Sequence, residues 1–178
     1  MKHATTQAVT AFIFMVFAFL THESAHLITA KLLGNTATMS INHVVPANGA
    51  WSSTGAATLI TAAGPALTIF LGCIGFVWAV SRSSLLGLNI LLVAFAHRAL
   101  ATIVSLNNPN DEMRVSLDLG LGPWTLPVVV SSTLLALSAI AIARTRPGYW
   151  RLAGVWIGAS VALILVVFGE PFLPVLTW

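Results

Sequence analysis

Charge is scarce in this chain. Eight Lys and Arg and five Asp and Glu make up only 7% of its 178 residues, too few to clothe the surface of a water-soluble domain. The apolar residues standing in their place would leave large exposed patches in water. The basic residues do not gather either. The net charge of +3 is scattered between apolar runs, which excludes a nucleic-acid-binding face and suits charges that set membrane orientation. A single cysteine, Cys73, lies inside an apolar run, so no intrachain disulfide can form, and it is expected to pack as a small apolar residue. Internal repeats and low-complexity segments are absent. A chain of this length has room for one compact domain, residues 1–178, and any separate regulatory or substrate-binding module is expected from another chain.

What the chain has in excess is long hydrophobic runs. It is 57% hydrophobic, with a mean hydropathy of +0.92. Five runs of spanning length are predicted, at about 8–33, 56–80, 85–106, 127–143 and 149–168. The expected fold is therefore an all-α polytopic membrane protein with five transmembrane helices, integral to the cell membrane. Lys2 and the apolar run after it resemble a secretory signal, but the would-be cleavage site near Ser24-Ala25 interrupts a run that resumes to Leu33, so a first span is expected. Gly34-Asn35 ends that span. From Thr36 to Val45 polar and apolar residues then alternate, as in a strand, and Asn48-Gly49 predicts the turn of a short β-hairpin. Such a hairpin either offers an edge to an extended substrate or simply covers the bundle.

The second span carries Gly64-Pro65, expected to kink the helix and free backbone groups, with small residues Gly72 and Gly75 suited to close helix approach. In the third, Arg98 is expected to reach the interface or to pair with a carboxylate in the next segment, with His97 beside it as a less favoured catalytic candidate. Asn107 to Pro127 holds the acidic cluster Asp111, Glu112 and Asp118 and reads by default as a solvated loop. The tail from Glu170 to Trp178 is short, Pro-rich and expected to lie at the interface.

Inside the first span stands His22-Glu23-Ser24-Ala25-His26, an H-E-x-x-H pattern that arises by chance on the order of once in a few hundred such chains. On a helix, residues four apart share a face, so His22 and His26 can bind one ion, with Glu23 beside it as a general base. Zinc suits neutral imidazole ligands, and an open position on it makes a nucleophile of water near neutral pH. Ionisable groups cost roughly 2.5–3.5 kcal/mol each in hydrocarbon on insertion scales, so three within five residues call for a reason. A metal supplies one. A polar helix–helix contact with Glu23 protonated is the bland alternative, and a haem held by His from two helices is another. Two His normally need a third protein ligand on zinc, and the acidic cluster holds the candidates. Spans one and three run toward the same side, so His26 and the Asp111 segment can meet.

These features resemble the site-2 proteases, zinc metalloproteases that cleave within the membrane. The likeness covers about residues 10 to 125. It is carried by the H-E-x-x-H of the first span, by Ala63-Gly64-Pro65 in the second, and by the aspartate after Asn-Pro in Asn108-Pro109-Asn110-Asp111; a strand-like segment between the first two is also shared. The resemblance implies zinc held by His22, His26 and Asp111, Glu23 as catalytic base, and hydrolysis of peptide bonds in or near transmembrane segments of other membrane proteins. The chain departs from the family in having Glu112 where glycine usually follows the aspartate, in the rival match Leu117-Asp118-Leu119-Gly120, and in Thr68 where the family commonly has Asn. The partners expected are a membrane-protein substrate or companion subunits, and the bilayer. A non-enzymatic subunit of a larger membrane complex, keeping a metalloprotease-like scaffold, is the alternative. The positive-inside rule places the N-terminus in the cytoplasm, whereas many relatives of the resembled family have the first helix ending there.

Overall fold

A computed structural model describes residues 2–177. Among these residues it has six α-helices: α1 (Lys2–Leu32), α2 (Thr54–Arg82), α3 (Leu85–Val104), α4 (Asp111–Asp118), α5 (Thr125–Thr145) and α6 (Tyr149–Gly169). All but α4 are long and apolar enough to cross a membrane. Their ends follow local chemistry. At α2 the Ser53 hydroxyl accepts from the Ala56 amide, and at α3 the Ser84 hydroxyl accepts from that of Gly87, each satisfying a donor the helix cannot. After α1 the chain turns at Gly34, with φ of +73°, and the Asn35 amide returns to the Ala30 carbonyl.

The five long helices are hydrophobic on most of their circumference, and residues such as Val9, Ile13, Phe17, Val77, Ile157 and Phe168 face outward, as lipid-facing positions do. The interior is built on Met15, Phe19, Leu88, Leu91, Leu92 and Leu134. Close approach does much of the packing. A Cβ at Gly158 of α6 would fall on the Ala8 carbonyl oxygen of α1, and one at Gly75 of α2 would come within 2.8 Å of the Gly87 carbonyl oxygen of α3, so small residues let these backbones touch. The packing of α6 on α1, the most extensive in the molecule, braces the helix that carries His22 and His26.

Three antiparallel strands, β1 (Ala37–Met39), β2 (Val44–Pro46) and β3 (Leu176–Thr177), lie in the order β2-β1-β3. The hairpin is present, but its turn is Ser40–His43 and not Asn48-Gly49. The Ser40 hydroxyl accepts from the Asn42 and His43 amides, which closes the chain before the Asn-Gly signal is reached. The tail is also more ordered than expected. Glu170–Phe172 forms a 3-10 turn, and β3 pairs with β1 through Thr38–Thr177 and Met39–Leu176; Trp178, the end of that predicted tail, lies outside the described residues. Glu170 accepts from the Ser40 hydroxyl and, at 3.3 Å, from the Asn42 side-chain amide, and its carboxylate lies 2.5 Å from His43 Nδ1. The acidic segment, expected to be a loop, contains α4. Asn110 caps it by accepting from the Asp111 amide, and Asp111 and Glu112 occupy its first turn, where carboxylates suit the helix dipole. By chain order, the sheet, α4 and the 3-10 turn all lie at the end of the bundle where α1, α3 and α6 finish.

Candidate metal centre

His22, Glu23 and His26 are buried, with 3%, 4% and 6% of their surface exposed. Their ligand atoms lie within 4.8 Å of one another, an arrangement able to hold a metal ion. One helical turn brings His22 Nε2 and His26 Nε2 to 3.1 Å. From α4, Asp111 Oδ2 reaches 3.0 Å from His22 Nε2 and 3.4 Å from His26 Nε2. Of the two aspartates that match the third-ligand pattern, it is thus Asp111 that joins the imidazoles. Asp118, seven residues on, accepts from the Thr58 hydroxyl at 2.7 Å on an exposed surface.

The opposite ring nitrogens decide what those facing atoms are. His26 Nδ1 lies 2.6 Å from the Ile60 carbonyl oxygen, which can only accept, so Nδ1 carries the proton. The Thr68 hydroxyl donates to the Gly64 carbonyl at 3.1 Å, and His22 Nδ1, 3.0 Å from Thr68 Oγ1, is therefore also the donor. In the neutral rings both Nε2 atoms are then bare lone pairs facing each other and a carboxylate oxygen. Burial alone would raise the Asp111 carboxyl, but a proton carried by either imidazole at its Oδ2 holds it well below the usual carboxylate range. Three acceptors meeting in this way need positive charge among them, as protons on the rings or as a cation. Their separations of 3.0, 3.1 and 3.4 Å compare with about 3.3–3.4 Å between ligands on a tetrahedral ion with bonds of about 2.0–2.1 Å. The residues present fit such an ion.

The turn of α2 around Gly64-Pro65 is folded over this pair. A Cβ at Gly64 would lie 2.3 Å from His26 Nε2 and 2.7 Å from His22 Nε2, so only glycine lets α2 approach so near. The Ile60 carbonyl and the Thr68 hydroxyl, one turn to either side, hold the two rings. The helix stays continuous through Pro65.

The site opens on a cavity of about 480 Å³ that also reaches Val44 and Val45 of β2, His43 of the turn, and Trp51. Three buried polar atoms of residues lining this cavity have no partner among the described residues: Glu23 Oε2, His97 Nδ1 and Arg98 Nε. An unsatisfied buried polar atom costs about 1–3 kcal/mol, and three of them at one cavity mark it as built to receive something polar. The His97 ring lies 5.1 Å from that of His22 and 4.3 Å from that of Phe19, measured between centroids. Next to it, Arg98 Nη1 donates to Glu112 Oε1 at 3.0 Å, both side chains being buried. Of the two placements expected for Arg98, this is the pairing with a carboxylate of the following segment and not the reach to the interface. It joins α3 to the helix that carries Asp111.

Sequence reasoning missed Thr68 as the partner of His22, Ile60 as the partner of His26, and the tie from Glu170 to the hairpin. A polar Thr68 one turn beyond Gly64-Pro65 in an apolar span was the available signal for the first. Comparison with family models, with curated proteins and with solved structures finds no match for this chain.

Proposed function

We propose that this chain is an integral, multi-pass membrane zinc endopeptidase of the site-2 protease kind, hydrolysing peptide bonds in or near transmembrane segments of other membrane proteins. One observation carries the reading: two imidazole lone pairs and an aspartate oxygen converge beside an unpartnered glutamate oxygen, at a cavity among helices apolar enough to span a bilayer. A polar contact made only for packing would leave no carboxylate oxygen over.

His22 and His26, through Nε2, and Asp111, through Oδ2, would hold the zinc ion. When bound, zinc supplies Lewis acidity, acidifying water and polarising a peptide carbonyl near neutral pH. Thr68 and the Ile60 carbonyl keep both rings in the tautomer that presents Nε2 and fix their orientation. Glu23 takes a proton from the attacking water at its unpartnered Oε2 and delivers it to the leaving amine nitrogen as the C–N bond breaks. The apolar walls from Phe19, Ile60 and Val104 limit bulk water, which strengthens each of these interactions.

The sheet favours a substrate in extended form. Both edges of β1 are taken, by β2 and β3, whereas β2 pairs on one side only among the described residues and contributes Val44 and Val45 to the cavity wall. A strand added to β2 would run beside the site.

Metal analysis of the protein purified in detergent tests the reading, together with cleavage of transmembrane peptides co-reconstituted with it. One zinc per chain is expected. Glu23→Gln should keep that zinc and lose at least about 100-fold in cleavage rate. A purified chain free of zinc, or a fully active Glu23→Gln protein, overturns the proposal.

A further inference from the structure

We propose that His97 donates a hydrogen bond to the carbonyl oxygen of the peptide bond held at this site. The inference rests on the metallopeptidase reading and adds a residue to it.

The side-chain nitrogens that fix the rings and join α3 to α4 are already engaged. His22 Nδ1 donates to Thr68, His26 Nδ1 to the Ile60 carbonyl, and Arg98 Nη1 to Glu112. Glu23, His97 and Arg98 are each left with an unpartnered buried atom at the cavity, and of these Arg98 is already tied through Nη1 to Glu112. Glu23 has its task in moving the proton. His97 is 4% exposed, and nothing in its own surroundings repays leaving Nδ1 bare, so its partner is expected in what enters the cavity.

The chemistry matches the position. An imidazole carries an N–H in either protonation state, and the carbonyl oxygen of a peptide gains negative charge as water adds to its carbon. A donor set in place beforehand, in a cavity poor in water, stabilises that charge most. The ring sits edge-on to His22 with its centroid 5.1 Å away, on the adjacent helix. The neighbouring Arg98–Glu112 pair locks the same turn of α3 to the start of α4, so His97 and Asp111 are held around the His22 ring by one framework. Three ligand atoms already converge, and the position a catalytic zinc site keeps open belongs to water or substrate, which leaves His97 to act on the substrate oxygen.

The test uses the full chain loaded with Co2+ in detergent micelles, the visible absorption of the cobalt reporting binding of acetohydroxamate, a small carbonyl-bearing chelator. His97→Phe and His97→Leu, which lack a donor, should keep one cobalt per chain and bind acetohydroxamate at least about 10-fold more weakly. His97→Gln or His97→Asn, which restore an N–H, should recover part of that loss. Unchanged affinity in a donor-less variant that keeps its cobalt overturns the role while leaving the metallopeptidase reading in place. Loss of cobalt from the donor-less and amide variants alike overturns it too, by making His97 a ligand. A wild-type chain that takes up no cobalt removes the metal reading itself, and this inference with it.

Discussion

Gly64 and Thr68 show how little separates a pair able to hold a metal ion from two merely buried histidines. A methyl group at Gly64 would overlap both Nε2 atoms, so Gly64→Ala should destabilise the chain by about 1–3 kcal/mol through overpacking and lower zinc retention during dialysis, both measurable on detergent-purified protein. Thr68→Val keeps the shape of the side chain and removes the acceptor for His22 Nδ1. It should weaken metal binding about 10- to 100-fold, as read by competition with a chromophoric chelator, and Thr68→Ser should restore most of it. At this scale the sequence was informative where spacing alone sets geometry: His22 and His26 share a helix face whatever surrounds them. The acidic cluster could be singled out because few acids exist to choose from, and within it Asp111 was what the resemblance implied. The partners of the rings could not be read, since the Ile60 carbonyl lies 34 residues from His26 and the Thr68 hydroxyl 46 from His22, and only the packing of α2 on α1 joins them.

Among the helices, α4 does the most with the fewest residues, presenting Asp111 at its start and Glu112 to Arg98 in the same turn. Glu112→Gln leaves a buried guanidinium without its counter-charge and should cost about 3–5 kcal/mol, seen as a lower unfolding midpoint in thermal denaturation. Asp111→Asn should abolish zinc binding, while Asp118→Asn, altering only an exposed contact with Thr58, should leave zinc content unchanged. The reverse result would exchange the two aspartates. The five long helices were legible because hydropathy over a spanning length needs no tertiary information. The smaller elements were less so. The acids that made residues 107–127 look like a loop are, with Asn110 before them, a helix start. The hairpin turn went to Ser40 because its hydroxyl captures two amides, a local bond that the Asn-Gly signal does not weigh. The two-residue β3 has no pattern of its own and exists only because β1 offers it an edge.

At the scale of the whole molecule, five alternating helices send α1, α3 and α6 to finish at one end, and the hairpin, α4, the 3-10 turn and β3 gather there. At the other end lie Arg82, Arg144, Arg146 and Arg151, with Lys31 and Arg114 on the site's side. The charge balance and the resemblance point the molecule in opposite directions, and geometry along the chain does not depend on which is right. The gathering of every short element at one end has a consequence for access. In sealed vesicles with the protein inserted one way round, an impermeant chelator such as EDTA should strip zinc only from the compartment that holds the C-terminus, so sidedness of inactivation reports orientation without any tag or antibody.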